Sequence, residues 1–225
     1  MERSAETEAL PEAIQLPWWP GNWESWTPGV LAAKLRDVDC RWCVVGGWAL
    51  DLFTGVVHRE HSDLEIIVPR GSFAVIKDRL PELTFYVTGA EGQWPLATAG
   101  AAFDKYQQTF GRDETTGKFI LDVMRVADSG VWELAGHPEI TRSWDETIEV
   151  TGSGIPYLRP EQVLLYKALG IGDDDPRIKD GADFLSVLPL LDPSARAWLE
   201  QTLRSLNPAH PWLRTLALRA AAAPG

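Results

Sequence analysis

Length, composition and charge set aside several classes of protein before any motif is considered. The 225 residues include 21 Lys or Arg against 32 Asp or Glu, a net charge of -11 that repels a phosphate backbone and makes extended nucleic acid a poor partner. Hydrophobic residues at 45% and charged ones at 24% match a folded soluble chain, and no apolar run approaches the ~18 residues of a membrane span.

Two cysteines are too few for a disulfide scaffold, and the start "MERSAETEAL" lacks the pattern of a secretion signal, so a cytoplasmic protein is expected. Residues 1–28 turn from acidic to "LPWWPGNWESWTP", where the prolines prevent a continuous helix. Trp18, Trp19, Trp23 and Trp26 suggest an arm that covers apolar surface of the core, or that lends a Trp to a pocket. "GVLAAKLRDV" has helical spacing and "WCVV" reads as a short strand. Gly46-Gly47 then forms a turn before a helix that resumes at Trp48 and ends at Gly55. "DLEIIV" alternates acid and apolar residues, which predicts a strand with both acids on one face.

Further along, "SFAVIKDRL" reads as a helix, and "LTFYV", "AAFDKYQQTF" and "KFILDVMRV" read as strands. "ETIEVTGSGIPYL" reads as a hairpin. After Pro160, a residue suited to a first helical position, four segments have helix formers at helical spacing, and the Ala-rich end reads as frayed. The expected class is α+β: an arm over 1–28, a mixed sheet-and-helix core over 29–158, and a helical bundle over 159–225.

Asp63 and Glu65 carry the chemistry. Residues two apart on a strand project from the same face ~6 to 7 Å apart, so two carboxylates there repel unless a cation lies between them. Hard divalent ions such as Mg²⁺ take oxygen ligands and usually share them with substrate phosphates. Acids at such spacing also mark an ordinary solvated face. Against that, Ile67 shares the acids' side of the strand, and a third acid, Asp122, interrupts the apolar run "FILDVMRV".

The arrangement Gly46-Gly47, Asp63-Leu64-Glu65 and a lone Asp122 in a later strand resembles the nucleotidyltransferase superfamily typified by DNA polymerase beta. Within it, "GGWALDLFTGVVHREHSDLEI" is most similar to the aminoglycoside 2''-adenylyltransferase type, where a Gly-Gly-Trp-Ala start and an Arg-x-His-x-Asp-x-acid end recur. The resemblance is strong over residues 44–68, continues through "ILDVMR", and weakens in the helical tail.

The resemblance implies a nucleotidyltransferase core followed by helices, acting on ATP or another nucleoside triphosphate with Mg²⁺, two ions being expected. Asp63 and Glu65 hold metal; Asp122 either completes the metal site or takes the proton of an acceptor hydroxyl. The helix that opens at Trp48, just after the Gly46-Gly47 turn, offers its N-terminal dipole and free N–H groups to the phosphates. Arg59 and His61 touch phosphate or brace the carboxylates, while Lys167 and Lys179 resemble the helical-domain lysines that reach the triphosphate. The chain departs from the superfamily in two places. Gly46-Gly47 stands where many members carry Gly-Ser, so backbone N–H groups replace a hydroxyl, and Glu65 stands where Asp is commoner.

The acceptor is read as a small polar molecule, an aminoglycoside by resemblance, and the negative field suits its amino groups. A protein or RNA acceptor and a non-catalytic nucleotide-binding module are the alternatives, and a homodimer is compatible with either. Gln93, Trp94, Tyr106, Gln107 and Gln108 are candidate acceptor contacts or sheet packing, and the acidic loop Asp173-Asp174-Asp175 a weaker candidate. "CRWC" lacks a helix start at its first Cys, and its spacing to His58 and His61 is short for a zinc finger. "TGSGIP" is a turn.

Overall fold

The computed structural model describes residues 9–17, 20–170 and 178–220. Residues 1–8, Trp18, Trp19, the acidic loop at 173–175 and the Ala-rich end at 221–225 lie outside the described residues.

Local chemistry accounts for most elements. Helix α1 (Pro28–Lys34) starts on Pro, and the Val30 N–H donates to the Thr27 hydroxyl at its N-cap. The buried strand β1 (Cys43–Val44) leads into α2 (Gly46–Thr54), which Gly55 ends in the left-handed conformation at φ 74°. Strand β2 (Glu65–Pro69), helix α3 (Phe73–Arg79) and the antiparallel pair β3 (Thr84–Gly89) and β4 (Gly92–Pro95) follow. Next come α4 (Ala101–Lys105), β5 (Gln108–Asp113) and β6 (Lys118–Val126). A hairpin of β7 (Trp132–Leu134) and β8 (His137–Arg142) precedes another of β9 (Ile148–Val150) and β10 (Pro156–Leu158). The chain then becomes helical: α5 (Pro160–Leu169), α6 (Ile178–Val187), α7 (Pro193–Leu206) and α8 (Trp212–Ala220). Pro at the first position opens α5 and α7, and the Asp192 carboxylate caps α7 by accepting from the Ser194 and Ala195 N–H groups.

Backbone contacts divide the chain into two interleaved units, Met1–Trp42 with Ser62–Val126 and Cys43–His61 with Ala127–Gly225. The first contains a mixed sheet in the order β4-β3-β5-β6-β2, with β2 parallel to β6 and the other neighbours antiparallel. Both faces of β6 are covered: Phe119, Ile120, Leu121 and Val123 are all buried, as a central strand requires. The arm lies on this unit. Ile14 makes a two-bond antiparallel bridge to Gln93, the Trp94 Nε1–H donates to the Pro11 carbonyl, and Trp23 packs on Phe110 and Phe119. Arg125 is wholly buried, and its guanidinium donates to the Thr109 hydroxyl and to the carbonyls of Phe103 and Tyr106. That clamp fixes the segment leading into β5.

In the second unit β10 pairs parallel with β1 and antiparallel with β9, and α2 packs on α5, α6 and β10. Helix α5 is buried from Pro160 to Leu165 and packs on α7.

Three readings of the sequence need correction. "AAFDKYQQTF" is not one strand: residues 101–105 form α4, because Ala102, Phe103 and Tyr106 meet the core at helical spacing behind Gly100 at φ 48°. Helix α2 begins at Gly46 rather than Trp48, so the glycine pair is its first turn. Asp63 precedes β2 rather than lying in it. Strand β4 and the β7–β8 hairpin were not anticipated. Glycine or Pro interrupts each, and the Ala135-Gly136 turn, with Gly136 at φ 79°, is the signal that would have located the hairpin. Among the described residues no helix is long and apolar enough to cross a membrane.

Candidate active site

The pairing of β2 with β6 sets the first half of the site. Glu65 and Asp122 are direct partners in that parallel ladder, which places their side chains next to each other on one face. The Asp122 N–H donates to the Leu64 carbonyl at 2.9 Å, so the ladder holds up to the residue between the two acids of the pair. Asp122 is buried, at 5% exposure, whereas Asp63 and Glu65 are half-buried. Burial foremost, then the Glu65 charge and more weakly that of Asp63, push the Asp122 carboxyl well above the usual Asp range. Asp122, distant in sequence from Asp63 and Glu65, is thus close enough to be repelled by both.

The two Asp122 oxygens differ. Oδ2 accepts from the Gln108 Nε2–H at 2.7 Å, while Oδ1 is buried with no hydrogen-bond partner among the described residues. A buried carboxylate oxygen left unpaired is costly, and such sites are satisfied by an ion, a proton or a substrate group. Among the described residues no three His, Cys, Asp or Glu side chains form a ready metal cage. The donor set still fits Mg²⁺, because that ion is ordinarily held by one or two carboxylates and completes its shell with waters and substrate phosphates. Hard oxygen donors and an orphaned Oδ1 meet that description; a closed protein cage is not required by it.

The second unit holds a different cluster around the first turn of α2. A Cβ on Gly47 would lie 2.4 Å from the Arg59 Nη2 and 2.6 Å from the His61 ring, so any larger residue there requires one of them to shift. Arg59 and His61 therefore stand directly over that turn. Each is braced from behind. The His61 Nε2 is 2.5 Å from the Asp51 Oδ2, and the His61 ring stacks on Trp48 with centroids 4.4 Å apart. The Arg59 Nε and Nη2 both donate to Asp183, each at 3.2 Å. Asp183 also pairs with Lys167 at 2.9 Å, and Lys167 donates to Asp180 at 2.5 Å. Burial would raise the Asp183 carboxyl, but Arg59 and Lys167 outweigh it and hold the group below its usual value.

Of the residues expected from the sequence, Asp63, Glu65 and Asp122 come together in one unit. Gly46, Gly47, Arg59 and His61 come together in the other, with Lys167 joined to Arg59 through Asp183. The partner of His61 is Asp51, in the same unit. Lys167 is matched by two carboxylates, so a phosphate must compete for it, while Lys179 is half-buried in the first turn of α6. Gln93 and Trp94 bind the arm, and the Gln107 carbonyl accepts from the Arg125 N–H. Tyr106 stacks on Trp94 and its hydroxyl donates to Glu91, so these residues serve packing. Asp51, Asp183 and the Gln108–Asp122 bond were missed. No spacing rule joins residues 59 and 183, and Asp51 reads as the polar position of an amphipathic helix.

A sequence model of the aminoglycoside-2''-adenylyltransferase family matches residues 30–173, more than half of the chain. Solved structures are also similar. The lincomycin-bound lincosamide antibiotic adenylyltransferase LnuA is 17% identical with a TM-score of 0.52, over 76% of this chain and 99% of that one. The solution structure of the antibiotic-resistance factor ANT(2'')-Ia is 13% identical with a TM-score of 0.49, over 85% of this chain and 92% of that one. Its complex with adenylyl-2''-tobramycin is 14% identical with a TM-score of 0.47, over 78% and 93%. At such identities a likeness speaks for the fold, and the LnuA match supports it. No curated protein sequence matches the chain.

Proposed function

The chain belongs to the aminoglycoside-2''-adenylyltransferase family, and from that premise we propose that it transfers AMP from ATP to a hydroxyl of an aminoglycoside in a Mg²⁺-dependent reaction. One observation carries the reading: Asp122, buried in an otherwise apolar strand, is paired in register with Glu65 and has one oxygen without a hydrogen-bond partner among the described residues. A carboxylate with no chemical task would not be kept in so costly a place.

The acceptor hydroxyl oxygen attacks the α-phosphorus, its bond to the pyrophosphate oxygen breaks, and the hydroxyl proton must leave. Mg²⁺, when bound with the triphosphate, neutralises the charge on the phosphoryl oxygens and on the departing pyrophosphate. Asp63 and Glu65 are the ligands best exposed to receive it. The Asp122 Oδ1 either joins them or accepts the hydroxyl proton; both roles need the ionised form. The first turn of α2 offers backbone N–H groups to an anion, and the absence of a side chain at Gly47 lets the Arg59 guanidinium stand over that turn. The overall negative charge favours a polyamine-like acceptor.

The test is incubation of the purified protein with α-labelled ATP, Mg²⁺ and a panel of aminoglycosides and lincosamides, with Asp122→Asn as control. Label is expected on an aminoglycoside, with the variant reduced by about 10²-fold or more. Label on lincosamides alone would correct the acceptor. Transfer to no acceptor, or full activity in the variant, would overturn the reading.

A further inference from the structure

Gln108 occupies the first position of β5, opposite Met124 of β6, and so lies diagonally across the ladder from Asp122, where long side chains reach one another. Its backbone is fixed on both sides. Thr88 of β3 pairs with it, the Gln107 carbonyl before it accepts from the Arg125 N–H, and the Arg125 guanidinium holds the Tyr106 carbonyl. The side chain therefore projects from an anchored stretch of main chain. Its Nε2–H donates to the Asp122 Oδ2 at 2.7 Å.

We propose that Gln108 is a positioning residue for the transfer reaction, which dedicates the Asp122 Oδ1 to the reacting groups by occupying Oδ2. This rests on the function proposed above and adds to it a residue that acts through Asp122. A free carboxylate rotates and presents either oxygen. With Oδ2 engaged, rotation breaks a bond, and the unpartnered Oδ1 is the oxygen left to receive a cation or a proton. The amide suits this task because it is neutral. A Lys or Arg there would neutralise the acid and compete with the metal, whereas an amide donor stabilises the carboxylate without adding a charge.

Outer partners of metal-binding carboxylates typically change metal affinity or activity by about 10- to 100-fold when removed. Gln108→Met keeps the length of the side chain and loses the donor; Gln108→Leu is a second variant should Met pack poorly, and thermal melting confirms folding of whichever is used. Two measurements are made. Steady-state kinetics with ATP, Mg²⁺ and the acceptor should give a kcat lowered by about 10- to 100-fold with acceptor KM unchanged. Calorimetric titration of Mn²⁺ into the protein with a non-hydrolysable ATP analogue should show weaker metal binding in Gln108→Met, and no further weakening when that change is added to Asp122→Asn.

Unchanged kcat, or a raised acceptor KM at constant kcat, would overturn the proposal, the latter by showing that Gln108 touches the acceptor. Full additivity with Asp122→Asn in the metal titration would overturn it as well. If the wild type transfers nothing, the functional reading falls by itself, and the titration still decides whether Gln108 acts through Asp122.

Discussion

Asp183 shows how much of the site rests on a residue with no visible motif. Its carboxylate joins Arg59, from the loop after α2, to Lys167 near the end of α5, although the three are far apart in sequence. Because both cations favour the ionised form, the folded-state value lies below the unfolded one. The stabilisation is therefore present above the unfolded value and is lost as pH falls through the folded one. Asp183→Asn should cost about 1.5 to 3 kcal/mol at pH 7, towards the low end because Arg59 is partly exposed, and the loss should shrink as pH drops below about 4. Thermal melts of both proteins from about pH 2 to 8 measure this; a deficit independent of pH would show that Asp183 acts by packing alone. At this scale Asp122 is conspicuous in the sequence because it breaks an apolar run, and Asp63 and Glu65 because they lie two residues apart. Asp51 carries no such signal, nor does the bond between Gln108 and Asp122, since only folding brings these partners near.

The first turn of α2 is where residue chemistry becomes an element. Sequence reading placed Gly46-Gly47 outside the helix, as a turn. In the structure the pair begins it, with Gly46 at φ 65° and Gly47 crowded by Arg59 and His61. Arg59 ends in a flexible guanidinium, but the His61 ring is held by Asp51 and Trp48 and cannot yield freely. Gly47→Ala should therefore lose about 1 to 3 kcal/mol of stability despite the better helix propensity of Ala. The matched control is Gly29→Ala in α1, where a Cβ meets nothing within 4 Å; it should be neutral or stabilising by about 0.4 to 1 kcal/mol. Equal melting shifts for the two variants would show that Arg59 and His61 move aside. The same proximity disfavours a serine at 47, in keeping with Gly-Gly at this place. Elsewhere local rules sufficed: Thr27, Pro160 and Gly55 start or stop their helices as their chemistry predicts.

At the scale of the molecule, the net charge of -11 would act with opposite sign on the cationic acceptor and the triphosphate proposed above. It draws in a cationic acceptor and repels a triphosphate, and salt screens both effects, the Debye length falling from ~10 Å at 0.1 M to ~3 Å at 1 M. Raising NaCl from about 0.05 to about 0.5 M should increase KM for a polycationic aminoglycoside several-fold while KM for ATP stays level or falls. Initial-rate measurements across that range decide it, and parallel changes in the two constants would remove the long-range field from the account.

The chain order of amino acids determined the α+β class, the run of helices after Pro160 and the family. These depend on periodicity, capping and short-range spacing, which a linear sequence displays. Only the folded molecule decided that Asp122 stands beside Glu65 with one oxygen held by Gln108, and that Arg59 and Lys167 share Asp183. Such partnerships arise from strand register and helix packing, which bring together residues whose separation along the chain carries no periodic signal.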